Sequence, residues 1–173
     1  MVSPAEQTET KNPEADRMPK THITPPLKRK GDAVNALHDR HGTELAFYRE
    51  VPDVLAELKK SNIHIAAASR THAPDLAREA LRLLLVPQEK GSREMAKAIT
   101  FFETMEIYPG SKLRHFKSIH AKTGIPYSEM LFFDDESRNK EVESLGVAEE
   151  EWAVEGARGC RTVLSKEWSV DAV

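Results

Sequence analysis

The stretch Met130-Leu131-Phe132-Phe133-Asp134-Asp135 decides how this chain is read. Four consecutive apolar residues, with no polar position between them, predict a strand buried on both faces. That strand runs straight into two carboxylates. Side by side at the mouth of a buried strand they repel one another, and a hard divalent cation relieves the repulsion. Mg2+ suits such a place, because it prefers oxygen ligands and takes one or two carboxylates beside water and substrate phosphate. The plainer alternative is that Asp135 or Glu136 caps the following helix. The position at the strand's end favours Asp134 and Asp135 as metal ligands.

Upstream lies a second strand of the same kind. Ile63–Ser69 is an apolar run after a polar break, and it ends in Ser69-Arg70-Thr71. Around the two strands the apolar period is helical. Val51, Val54, Leu55 and Leu58 share one face of Val51–Lys60, and Leu76, Ala80, Leu83 and Leu84 follow Pro74 at helical spacing. Ser92 is expected to cap a third helix carrying Met95, Ile99 and Phe102. Ser111 is expected to cap a fourth, with Leu113, Phe116 and His120 inward and Gly124 as its stop. Ser137–Ser144 reads as helical, ended by Gly146. Alternating helices and continuous apolar strands predict an α/β fold with a parallel sheet covered on both faces. In such sheets ligands sit beyond the carboxyl ends of the strands, where the clusters at Ser69 and Asp134 both fall.

The chain has 173 residues, enough for one domain with a real core, and is 39% hydrophobic and 31% charged. Lysine and arginine number 25 against 28 acidic residues, a net charge of −3. That balance gives no electrostatic reason to expect nucleic acid or an anionic membrane as partner. No apolar run approaches the ~18 residues of a membrane span, and Met1-Val2-Ser3-Pro4 does not begin a signal peptide, so a cytoplasmic monomer is expected. The single cysteine, Cys160, excludes an internal disulfide and a Cys-rich zinc site.

Composition is uneven along the chain. All eleven aromatic residues lie at or after Phe47, while five of the ten prolines fall within the first 26 residues. Residues 1–20 hold no apolar run able to offset their ordering entropy and are expected to be disordered. From Thr21 to Glu44 an extended path past Pro25-Pro26 and a solvated turn at Lys28-Arg29-Lys30-Gly31 are expected, with His38 and His41 in a polar loop. Residues 148–173 carry six acidic against three basic residues and form a divergent acidic tail. Within it only Arg161–Leu164 has the character of a short strand.

Two further residues could carry chemistry. The Ser69 hydroxyl and neighbouring backbone N–H groups could hold a phosphate oxygen, with Arg70 adding a donor. Capping of the following helix is the alternative for Ser69. Lys112, in Tyr108-Pro109-Gly110-Ser111-Lys112, could reach a phosphoryl group as a compact positive charge; a surface lysine is the alternative. The seven histidines form no zinc set and read as structural or solvated. A Ser69–His72–Asp134 triad lacks the glycines of a nucleophile elbow.

The order strand–Ser69, helix-start Lys112, strand–Asp134-Asp135 resembles the haloacid dehalogenase-like phosphatases, and more narrowly the magnesium-dependent phosphatase-1, or acid phosphatase-like, family. The matching stretches are THITPPL (Thr21–Leu27), FYREVPDVL (Phe47–Leu55), AAASRT (Ala66–Thr71), DLARE (Asp75–Glu79), EIYPGSK (Glu106–Lys112), KTGIPYSEMLFFDDESRN (Lys122–Asn139) and ESLGV (Glu143–Val147). The resemblance covers roughly residues 21–147. It implies a Rossmannoid three-layer sandwich and an Mg2+-dependent phosphatase acting on a phosphomonoester, whether protein phosphotyrosine or a phosphosugar. It further implies that Ser69 and Arg70 bind the phosphoryl group, Lys112 neutralises its charge, and Asp134 and Asp135 hold the metal.

The family's first strand ends in Asp-x-Asp-x-Thr, whose first aspartate forms the aspartyl-phosphate. Ungapped extension of the match puts Glu9 and Lys11 at those two positions, and neither Asp16, Asp32 nor Asp39 follows an apolar run. No nucleophile aspartate is found. The family places that strand between the ones ending at Ser69 and Asp134, so a sheet lacking its central strand is expected. After Val147 the family continues with another strand, which this tail does not resemble. The chain is therefore expected to be an active phosphatase by family, or a pseudo-phosphatase, or the incomplete product of an altered reading frame.

Overall fold

The computed structural model describes residues 23–29, 31–32, 34–134, 137–150 and 161–164. The expectation for residues 1–20 lies outside them. The described chain opens with a three-stranded antiparallel sheet, β1 (Lys28–Arg29), β2 (Ala36–His38) and β3 (Glu44–Ala46), in that spatial order. Strand β1 replaces the turn expected at Lys28-Arg29, and β2 takes His38 out of the polar loop expected there, paired across the ladder with Glu44. The apolar residues that build the small sheet, Ile23, Leu27 and Leu37, are isolated in sequence, so no period announces them, yet all three are buried. Asp39 locks the assembly. Its carboxylate accepts from Thr24 N at 3.0 Å and from His41 N and Thr43 N at 2.8 Å each.

The helix α1 (Val51–Lys60) and the strand β4 (Ala66–Ser69) follow, then α2 (Pro74–Leu83). The helix expected after Ser92 is absent. Leu85–Pro87 (β5) and Met95–Lys97 (β6) form an antiparallel hairpin, and Ala98–Phe101 is a single 3-10 turn. Local hairpin pairing has overridden the helical spacing of Met95, Ile99 and Phe102. The strand β7 (Thr104–Ile107) leads to α3 (Lys112–Thr123). The two ends of α3 are those the sequence marks: Ser111 Oγ accepts from Arg114 N at 3.2 Å, and Gly124 stops the helix with φ 70°. Met130–Phe133 (β8) is buried at every position, and Ser137–Leu145 is 3-10 helical.

The strands β9 (Ala148–Glu150) and β10 (Arg161–Leu164) come from the stretch expected as a divergent tail. They complete a five-stranded sheet in the order β7-β4-β10-β8-β9, parallel at every pairing. The centre of the sheet, where a missing strand was expected, is thus held by β10. Its register runs Arg161↔Met130 to Leu164↔Phe133 on one side, and Val163↔Ala66 and Leu164↔Ala67 on the other. The neighbours' backbone N–H and C=O groups find their partners there.

Two cores cover the sheet's faces. One gathers Leu37, Leu55, Ile65, Ala80, Leu84, Phe101 and Ile107 under α1, α2 and the hairpin. The other packs Ala66, Ala68, Phe116, Ile119, Met130, Phe132 and Val142 beneath α3 and the 3-10 segment. Phe116 meets Phe132 edge-on at 5.0 Å between ring centres, a favoured aromatic geometry. This second core fixes α3, and with it Lys112, against the carboxyl ends of β4 and β8.

Candidate functional site

Lys112 is no surface lysine: it is completely buried. Its ammonium cannot stay charged there without partners. Nζ donates to Ala68 O at 2.7 Å, stands 3.2 Å from Asp134 Oδ2, and lies 5.5 Å from the centre of the Phe132 ring. At the same helix start, Lys112 N donates to Glu141 Oε1 at 2.8 Å, which places a carboxylate at the positive end of the helix.

Asp134 directly follows β8 and is buried with Lys112. Its Oδ1 accepts from Asn139 Nδ2 at 2.9 Å, and Asn139 Oδ1 accepts from Arg70 Nη1, also at 2.9 Å. A continuous polar path therefore runs from Ala68 O through Lys112, Asp134 and Asn139 to Arg70. It joins the ends of β4 and β8 across the head of β10. Asn139 is wholly buried, and sequence reasoning missed it as a site residue although it closes the FFDDESRN stretch. Its spacing of five from Asp134, on a helical segment that turns back over the strand, was the available signal.

Ser69 closes β4 and is buried. Its Oγ accepts from Thr71 N at 3.4 Å, while Thr71 Oγ1 accepts from Ala73 N at 3.1 Å. Thr71, not Ser69, therefore serves the start of α2. The structure brings together Ser69, Arg70, Lys112 and Asp134 at the sheet's carboxyl edge. Asp135 lies outside the described residues. Of the acids weighed as a nucleophile, Asp39 is held by the small sheet and Asp32 is exposed, while Glu9 and Asp16 lie outside the described residues. The paper triad does not form, since His72 is exposed and Asp134 is bound to Lys112 and Asn139.

Beside the site, His115 is buried with its ring edge-on to Tyr108 at 4.4 Å, and Nε2 is 3.0 Å from Tyr108 O. Burial pushes its pKa down to about 4, and the positive charges of Lys112 and Arg70 act in the same direction. Its imidazole is thus neutral near pH 7, a structural histidine as expected from sequence. No group of three or more His, Cys, Asp and Glu side chains able to hold a metal occurs among the described residues. At the opposite, amino-terminal end of the strands lies a groove of about 760 Å³, lined by residues that include Lys59, His64, Glu103 and Lys122. It shares no residue with the Lys112–Asp134 path. No helix among the described residues is long and apolar enough to cross a membrane.

Comparison with known proteins adds a family. The acid phosphatase family's sequence model matches residues 16–155. A HAD-like hydrolase superfamily protein of Schizosaccharomyces pombe is 48% identical over 127 residues, spanning 73% of this chain and 72% of that protein. Human magnesium-dependent phosphatase 1 is 41% identical over 128 residues, spanning 73% of this chain and just under two thirds, 65%, of its own length. A Saccharomyces cerevisiae protein is 32% identical over 126 residues, spanning 70% of this chain and 69% of its own.

Proposed function

The chain belongs to the acid phosphatase family of HAD-like proteins, and from that premise we propose that it binds a phosphomonoester at the carboxyl ends of β4 and β8 without forming an aspartyl-phosphate. The observation that carries this reading is the central strand. Between β4 and β8 runs Arg161-Thr162-Val163-Leu164, a strand with no carboxylate, and the buried Lys112 faces Asp134 instead. Among the described residues, no aspartate follows a central strand to act as nucleophile, which supports binding without covalent transfer.

In this reading each residue has a defined task. The Ser69 hydroxyl and the N–H groups that follow β4 bind phosphoryl oxygens, and the Arg70 guanidinium adds donors in a fixed plane. Lys112 supplies positive charge at a place closed to solvent, where it counts for more than in water. Asn139 holds Arg70 and Asp134 in one frame. Asp134 offers the hard oxygen donors that suit Mg2+, and Asp135 is the second carboxylate beside it in sequence. When bound, the ion would supply countercharge to the phosphate. The ligand is a phosphorylated small molecule or a phosphoprotein, met in the cytoplasm by a monomer.

Calorimetric titration of the full chain with inorganic phosphate, with and without Mg2+, tests the binding half of the proposal. Saturable heat that Ser69→Ala and Arg70→Ala each weaken about tenfold is the expected result, the scale of one lost charged hydrogen bond. No heat from the unaltered chain would overturn it.

A further inference from the structure

The five-stranded sheet is two pairs of strands joined by a third party. β7 pairs with β4, β8 pairs with β9, and β4 and β8 do not pair with one another. All contact between the two halves of the sheet's ladder passes through β10. With strands spaced about 4.8 Å apart, β10 holds β4 and β8 roughly two spacings from each other. The polar path from Ala68 through Lys112 and Asp134 to Arg70 bridges the same gap. If the gap were empty, β4 and β8 would have to pair directly, halving their separation, or leave two rows of backbone groups facing each other unpaired.

What the gap requires of an occupant is modest. A parallel ladder is made by main-chain N–H and C=O groups, so it reads extended conformation and polarity more than covalent continuity. β10 meets β8 at four positions but β4 at only two. Its middle residues, Thr162 and Val163, are β-branched and favour the extended form. It lies between β4 and β8, while β9, the strand before it in the chain, lies on the far side of β8.

We infer that the gap between β4 and β8 is a strand-acceptor site. Its ligand is an extended, β-branched, apolar peptide segment running parallel to both walls, and Arg161–Leu164 is the resident occupant. A segment of the same chemistry from another polypeptide competes for the place, and filling the gap is what sets the anion site above it. The acceptor stands on sheet topology alone; the link to anion binding rests on the proposed function.

The test compares the full chain with its Val163→Pro and Val163→Ile variants, using a fluorescent peptide of residues 158–167 as probe. Proline removes a ladder N–H, whereas isoleucine keeps both shape and donor. Val163→Pro is expected to bind the peptide about tenfold more tightly than the unaltered chain, the scale of one hydrogen bond lost to the resident strand. Its amide exchange should accelerate at Ala66–Ser69 and Met130–Phe133, and Val163→Ile should match the unaltered chain. Unchanged exchange in Val163→Pro, or faster exchange without peptide capture, would overturn the acceptor. Should Val163→Pro fail to fold, a protease site placed within residues 151–160 of the full chain serves instead. After cleavage, a retained terminal fragment that the labelled peptide displaces supports the inference. Loss of that fragment from a core that stays folded and takes up no peptide contradicts it. A concentration-dependent dimer of the uncleaved chain that exchanges labelled peptide is the same site filled by a second copy. Phosphate titration is read separately: peptide exchange without phosphate binding would sink the anion reading and leave the acceptor standing.

Discussion

Lys112 Nζ lies 3.2 Å from Asp134 Oδ2 with both side chains wholly removed from solvent. Desolvating two such ions costs several kcal/mol each before their attraction offsets it, so geometry has to be good and the remaining donors satisfied. Here Ala68 O takes one ammonium proton and Asn139 takes the other carboxylate oxygen. The pair ties the start of α3 to the end of β8, and through Asn139 to Arg70. It is at once the centre of the second core's polar rim and the centre of the candidate site.

Removing one member of the pair should therefore cost more than removing both. Lys112→Met takes away the ammonium 3.2 Å from the buried Asp134 carboxylate and is expected to destabilise the fold by about 3–5 kcal/mol. Combining it with Asp134→Leu should recover part of that loss, giving a coupling energy of about 1–3 kcal/mol in a denaturant-melt double-mutant cycle. Additive effects of the two substitutions would show that the charges do not interact.

Asn139 is expected to act on ligand binding as well as on stability. Asn139→Ala leaves Arg70 and Asp134 without their common partner, at about 1–3 kcal/mol of stability. The phosphate dissociation constant should rise about tenfold, by calorimetry, if Arg70 swings out of place. Asn139→Asp should restore the acceptor for Arg70 but add a carboxylate against Asp134, so it is expected to recover phosphate affinity less than fully.

Acid should weaken the protein through His115. Its folded pKa of about 4 lies below the usual 6.5, so between these values the unfolded chain binds the proton that the native state refuses. Stability contributed by the neutral imidazole is therefore complete above about pH 6.5 and falls as pH drops towards 4. The gap of about 2.5 corresponds to roughly 3 kcal/mol. His115→Gln, which keeps a donor for Tyr108 O, should flatten the melting-temperature profile across that window; an unchanged slope would assign the acid loss elsewhere.

The small antiparallel sheet offers a check on the least expected part of the fold. Asp39→Ala removes the acceptor of three backbone N–H groups, from Thr24, His41 and Thr43. The melting temperature should fall, and limited proteolysis should cut within residues 23–46 before the parallel sheet. Asp39→Asn keeps one carbonyl acceptor and should show a smaller effect.

What could be read from sequence was what is encoded locally. The helix Val51–Lys60 carries its period on one face, α3 carries both its caps, and Met130–Phe133 is a buried strand because nothing polar interrupts it. Strands of two or three residues left no such trace. β1–β3 rest on single apolar residues such as Leu37, and β5–β6 hid under a helical spacing that hairpin pairing overrode. β10 looked like a short strand, but its place at the centre of the sheet follows from partners about thirty and a hundred residues away along the chain. Lys112, Ser69, Arg70 and Asp134 were nameable by type and position. That Lys112 is fully buried, that Glu141 closes on it and that Asn139 closes on Asp134 depend on α3 and the 137–145 segment packing over one core, which no local spacing reports.

The most direct test is turnover of para-nitrophenyl phosphate by the full chain in saturating Mg2+, followed by acid quench to trap any phosphoprotein. With phosphate binding established by titration, no nitrophenol release above background and no trapped acyl-phosphate is the predicted result. Mg2+-dependent release that Asp134→Asn abolishes, with an acyl-phosphate on an aspartate, would contradict it and make the chain an active phosphatase.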